Sequence, residues 1–185
     1  MRYFDFHNVR LLPRKCRVQS RAECDSSVNI NGFKFRLPII PANMASVVSA
    51  ELCYALARRG YFYIMHRFQV DSLLFVKQCR KQQLVSSISV GIKDYDCELI
   101  KKLQQANLPP DFITIDVAHA HSHRVRTMIA IIKRLLPKTF LTVGNIATAE
   151  AARDLTNWGA DMLKIGIGPG AVCTTKNKTG FGTAD

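Results

Sequence analysis

Phe112-Ile113-Thr114-Ile115-Asp116-Val117, then Ser122 before an apolar series at Val125, Met128, Ile129, Ile132 and Leu136, then Pro137 and Phe140-Leu141-Thr142-Val143, is the stretch that decides the fold. Its outer pieces are short and apolar throughout, as strands covered on both faces are, and its middle repeats with helical period. A strand, a crossover helix and a second strand joined in this way run parallel. Ser122 suits the helix start, and Pro137 ends it by withholding a donor.

Working outward, the same unit recurs. Residues 37–41 read as a first strand, followed by a helical face of Val48, Leu52, Ala55 and Leu56 that stops at Gly60. Residues 62–65 read as a second strand before a helix capped by Asp71, and residues 84–90 as a third before a helix capped by Asp94 with Leu99, Ile100 and Leu103 inward. After residues 112–117 and 140–143, Thr148 opens a helix carrying Ala151, Leu155 and Trp158, with Gly159 as its left-handed cap, and residues 162–165 form the sixth strand. Trp158 reads as core. No hairpin signal is expected between these units. Alternating strands and helices imply a parallel sheet, either a six-stranded doubly wound sheet or part of a (β/α)8 barrel; periodicity favours the former, since a barrel typically needs about 250 residues.

Composition sets wider bounds. The chain has 185 residues, 48% hydrophobic and 22% charged, which fits one soluble globular domain over residues 1–185. No basic-then-apolar leader and no long apolar run is present, so a cytoplasmic protein away from membranes is expected. The six cysteines form no Cys-x-x-Cys pair or zinc-like spacing, which predicts reduced thiols. His119, His121 and His123 alternate at a strand-to-helix junction and are not expected to converge on a metal. The net charge of +12 is spread along helices without aromatic interleaving, so no nucleic-acid partner is expected.

Chemistry is concentrated after the sixth strand, in Lys164-Ile165-Gly166-Ile167-Gly168-Pro169-Gly170-Ala171-Val172-Cys173-Thr174-Thr175. Glycines let backbone approach a ligand closely, and Cys173 supplies a nucleophilic sulfur. Gly-Ile-Gly-Pro-Gly-x-x-Cys-Thr-Thr closely resembles the catalytic loop of the family that contains IMP dehydrogenase and GMP reductase. The resemblance continues through Asp5-Phe6, Ser20-Arg21-x-Glu23, Pro41-Ala42-Asn43-Met44, Met65-His66-Arg67-Phe68, Ser87-x-Ser89-Val90-Gly91, Asp116-x-Ala118-His119 and Gly144-Asn145. The Pro-Ala-Asn-Met and Met-His-Arg forms look more like the reductase branch.

That resemblance implies an incomplete (β/α)8 TIM barrel of about six βα units and NADPH-dependent reductive deamination of GMP to IMP and ammonia. It makes Cys173 the nucleophile that forms a thioimidate, and Thr175 the residue that moves protons. Ser20, Arg21, Arg67, Asp116, Val117, Ala118, Ile167 and Gly168 fall on cofactor-contacting positions, and Gly168, Gly170 and Cys173, with Lys176 nearby, on a monovalent-cation site that suits K+. Members of the family assemble as homotetramers. Ala171 stands where some relatives have a phosphate-binding serine, and Ala120 where a glycine is frequent. The family pattern runs on through two further strands, so a truncated chain without appreciable turnover is expected; a second polypeptide supplying the remainder, or a nucleotide-binding module, stay open.

Overall fold

The computed structural model describes residues 10–168 and 175–180. Its centre is a parallel sheet of β3 (Ser87–Val90), β4 (Phe112–Asp116), β5 (Phe140–Ile146) and β6 (Met162–Ile165), in that spatial order. Neighbours in space are neighbours in sequence, with no point at which the order reverses. A doubly wound sheet has such a reversal and a barrel does not, so the winding is that of a barrel and corrects the expectation from periodicity.

The helices α1 (Ala50–Arg58), α2 (Ser72–Lys81), α3 (Asp94–Gln105), α4 (His123–Leu135) and α5 (Ala149–Asn157) follow the rule of a capping side chain and one apolar face. Asp71, Ser122 and Thr148 accept from the backbone N–H groups of Leu74, Val125 and Ala151, as expected. Asp94 does not cap α3. It is the first helical residue, and Asp96 ties the turn instead, accepting from Gly91 N (2.8 Å) and Lys93 N (2.9 Å). Gly159, at φ 110, ends α5 as read.

The two earliest strand expectations need correction. Residues 37–41 join no strand; Pro38 and Pro41 offer no donors to a ladder. Residues 62–65 are buried but touch the sheet through one bridge, Met65 to Ile88, closed by Met65 N to Ser87 O (3.1 Å) and Ser89 N to Met65 O (2.9 Å). The third strand starts at Ser87 rather than Leu84, and the fifth runs on to Ile146. A hairpin also exists where none was expected: β1 (Val28–Ile30) pairs antiparallel with β2 (Phe33–Phe35) around Asn31-Gly32. Both turn residues have positive φ, 52° and 82°, which Asn and Gly tolerate and a tight hairpin requires.

Alternation along the strands divides the sheet into two faces. Ile113, Ile115, Leu141 and Val143 pack with Ile100, Leu103, Met128, Ile129 and Ile132 of the helices. The opposite face, which lines the barrel interior, changes character along the strands. Its first registered row contains Phe112 and Phe140, and these join Phe35 and Phe62 with Phe33 beside them, so the hairpin covers this end of the sheet with aromatic rings. Phe112 is the hub, with centroids 4.9–6.1 Å from four neighbouring rings. The next row is Ser89, Thr114 and Thr142, all buried. The last is Asp116, Gly144 and Lys164.

Candidate active site

The strands therefore run from an aromatic end to an ionic one, and the ionic end lies where strands hand over to loops. Lys164 Nζ donates to Asp116 Oδ1 (2.9 Å) and to Asn43 Oδ1 (2.8 Å), joining β6, β4 and the segment before α1. Between them on β5 is Gly144. A methyl group there would press on Lys164 Cβ and lie 2.6 Å from the Lys164 carbonyl oxygen, so only glycine lets β5 and β6 approach this closely.

The ladder breaks just beyond. Gly144 pairs with Lys164 but Ile146 with Ile165, so Asn145 is bulged, after a cis Gly144–Asn145 peptide. Its backbone turns to the β4–α4 loop, donating to Val117 O (2.8 Å) and accepting from Ala120 N (2.9 Å), while Val117 N donates to Gly144 O (3.0 Å). Bulges re-aim side chains at sheet ends. Here three side-chain atoms are buried without a hydrogen-bond partner: Asn43 Nδ2, Asn145 Oδ1 and Arg67 Nε. Unpaired buried donors and acceptors cost about 1–3 kcal/mol each, and groups held that way at a strand end are suited to a polar ligand.

Arg67 lies two residues beyond the bridged Met65 and packs over the Phe68 ring at 4.6 Å. A Cβ on Gly91 would meet both Asp96 Oδ2 (2.8 Å) and Arg67 Nη1 (3.4 Å), so Gly91 is the gap that admits the guanidinium beside the Asp96 loop. His66 is buried, and its Nδ1 accepts from Phe68 N at 3.2 Å.

The sequence-derived site residues divide accordingly. Asp116, Val117 and Ala118 lie together at the end of β4, the first bonded to Lys164, the second zipped to β5 and the third exposed. Ile167 is buried and Gly168, at φ 80, begins the glycine loop after β6. Arg67 stands at the end of the neighbouring bridged segment. Ser20 and Arg21 share none of these bonds; they lie at an exposed turn, Arg21–Glu23 with Ser20 as its cap, whose hydrogen bonds are local: Ala22 N to Ser20 Oγ and Ser20 N to Glu23 Oε1. Thr175 opens the short α6 (Thr175–Thr179), half-buried. Cys173 and Gly170 lie outside the described residues, as does the Lys176 side chain, so Gly168 alone represents the expected cation set. Lys164, Asn43 and Asn145 are additions. Lys164 lies 48 and 121 positions from its two partners, so only their strand-end placement after strands of common direction hinted at the cluster.

The other thiols are of three kinds, Cys97 being half-buried on α3 with its thiol pushed up by desolvation and then by Asp94 and Asp96. Cys16 and Cys24 are exposed; Cys53 and Cys79 are buried beside Met65 and Tyr63, and burial raises the Cys53 thiol from 9.0 to about 12. Burial likewise pushes Cys79 up, so neither is a ready nucleophile. Among the described residues no His, Cys, Asp and Glu cluster could hold a metal ion, and no helix is long and apolar enough to cross a membrane.

Residues 3–185 match the IMP dehydrogenase / GMP reductase domain. A GMP reductase of Variovorax paradoxus is 53% identical over 183 residues, covering 99% of this chain and 56% of the relative. A GMP reductase of Bacillus subtilis is 50% identical over 181 residues, covering 97% and 56%. The crystal structure of inosine 5′-monophosphate dehydrogenase from Legionella pneumophila superposes with a TM-score of 0.83 at 31% identity, over 98% of this chain and 56% of that one. The chain thus spans about half the length of the curated relatives it matches.

Proposed function

The chain belongs to the IMP dehydrogenase/GMP reductase family, and from that premise we propose that it carries the cysteine loop and cofactor-side wall of a GMP reductase, which converts GMP to IMP and ammonia with NADPH. The observation that carries the reading is the Lys164–Asp116–Asn43 cluster at the mouth of the barrel, directly before the glycine loop of Cys173.

The residues present fit such a cofactor. Asp116 is a hydroxyl acceptor at a strand end, and the orphaned Asn145 Oδ1 and Asn43 Nδ2 together complement a carboxamide, which offers one donor group and one acceptor. Asp116, Asn43, Asn145 and Lys164 would hold the nicotinamide half, and Arg67 with Val117 and Ala118 would extend the contact. NADPH, when bound, supplies hydride. Cys173 acts as thiolate at C2 of the guanine ring; the C2–N bond breaks, the amine leaves as ammonia with a proton passed through Thr175, and the purine stays joined to sulfur as a thioimidate. Once C2 is reduced the C–S bond breaks and the thiolate returns, so one difficult displacement becomes two easier steps. The carbonyls of Gly168, Gly170 and Cys173, beside Lys176, would hold K+, since backbone oxygens suit a hard monovalent ion.

The test follows NADPH absorbance on adding GMP, with Cys173→Ala as control, in the chain fused to the remaining length of the Bacillus subtilis relative. GMP-dependent consumption that vanishes in Cys173→Ala supports the reading. Consumption that survives the substitution, or turnover only of IMP with an oxidised dinucleotide, overturns it.

A further inference from the structure

The loop between β4 and α4 is fastened from two sides. On the inner side it continues the β4–β5 ladder past the bulge, through the bonds of Val117, Asn145 and Ala120 described above. On the outer side His121 reaches α5: its Nε2 lies 2.8 Å from Asp154 Oδ2, and its ring is 5.8 Å from Trp158 at 35°. The Arg126 guanidinium of α4 lies 5.9 Å from the centre of the same Trp158 ring, and the His119 ring is 6.5 Å from that of His121. A carboxylate only accepts, so Nε2 carries the hydrogen and donates it. Immediately after His121, Ser122 caps α4, so the loop has six residues from the end of β4 to its cap and is anchored at both ends and in the middle.

We propose that His121 is a positioning residue: through Asp154 and Trp158 it holds the β4–α4 loop against the bulged end of β5, keeping the Asp116 carboxylate on Lys164 and setting ligand affinity at the mouth without touching ligand. The function rests on the site reading above, while the clamp is a property of the chain itself. The geometry has two separable parts. The ring on Trp158 gives packing, and the bond to the Asp154 carboxylate gives direction. His121→Phe keeps the first and removes the second; Asp154→Ala removes the second from the other side. His121→Gln retains a donor.

Residue-resolved amide exchange on the intact chain tests this. In His121→Phe the amides of Val117, Ala120 and Asn145 are expected to exchange about tenfold faster, the effect of losing one charge-assisted bond, while Ile113 and Ile115 of β4 are unchanged. Asp154→Ala should reproduce the pattern, the double variant should add nothing, and His121→Gln should recover much of the protection. A NADPH titration of the same proteins should weaken in proportion. If the parent chain binds no NADPH, the site reading fails while the exchange pattern still decides the clamp. Unchanged exchange at Ala120, or acceleration shared equally by Ile115, would overturn the proposal; should His121→Phe not fold, Asp154→Ala and His121→Gln carry the same comparison.

Discussion

The two ends of the parallel sheet are built from the same strands in the same register and are chemically opposite. At the N-terminal end Phe112 is enclosed by Phe33, Phe35, Phe62 and Phe140, with ring contacts that add about 0.5–1.5 kcal/mol per pair beyond burial. Four residues further along β4 and β5, the same face shows Asp116 and Gly144, with Lys164 alongside and amide groups left unsatisfied nearby. The aromatic end carries an unpaired buried hydroxyl, Ser87 Oγ, among its rings, while the ionic end holds unpaired amide and guanidinium groups beside its ion pair, which is the division barrel enzymes make between their two faces.

Breaking the aromatic end should have the largest effect. Phe112→Ala removes the hub of the cluster and should cost about 3–5 kcal/mol in urea unfolding, with the ionic end unaltered in its chemistry. Gly144→Ala comes next. Its methyl group has no room against Lys164, and about 1–3 kcal/mol of strain is expected, together with loss of ligand binding because the β5–β6 spacing must open. If Gly144→Ala lowered stability as much as Phe112→Ala, the two ends would not differ as described.

Lys164→Met keeps the stem and removes the charge, and should change stability by only about 1–2 kcal/mol while weakening NADPH binding at least tenfold. Phe140→Leu at the other end should do the converse. A fold in which both ends served binding would show no such crossing.

A smaller effect concerns pH. Cys53 titrates near 12 in the fold and near 9.0 when unfolded, so the neutral thiol is what the fold favours. Stability from this group is full below about pH 9 and is lost as pH rises toward 12, because the unfolded chain releases its proton first. Urea curves at pH 8 and pH 11 should show this decline, and Cys53→Ala should lessen it, the remainder coming from the Cys79 thiol and the Tyr63 phenol, which burial also pushes up. Smallest is a difference in labelling. In native protein at pH 8, iodoacetamide should modify Cys16 and Cys24 well before Cys53 and Cys79, and Cys173 fastest of all if Lys176 and the loop amides favour its thiolate. Slower labelling of Cys173 than of Cys53 would count against its role.

How much of this was legible in sequence follows from range. Asp71, Ser122 and Thr148 act within three residues, and caps worth about 0.5–2 kcal/mol were read from residue type alone. Residue type favours Asp94 as the cap, yet Asp96, two positions on, reaches back to the same loop. The β1–β2 hairpin is hard to read from sequence because three-residue strands show too little alternation, although Asn31-Gly32 is a strong turn signal. Residues 62–65 form a short apolar run and so read as a strand, and they are buried, yet burial does not by itself supply a ladder. Strand order distinguished a barrel from a doubly wound sheet only once register was visible. At the site, Asp116 and the glycine loop stood out through the family resemblance, whereas the Lys164–Asp116–Asn43 cluster depends on pairings 48 and 121 residues apart that periodicity does not encode.

The claim that the ionic end is the binding end is tested most directly by an amide-exchange footprint of the chain with and without NADPH and GMP. Added protection is expected at Val117, Asn145 and Gly166, with none at Ser86 or Leu141 at the aromatic end, and it should be lost in Lys164→Met. Protection at Ser86 and Leu141 instead, or a footprint indifferent to Lys164, would contradict it.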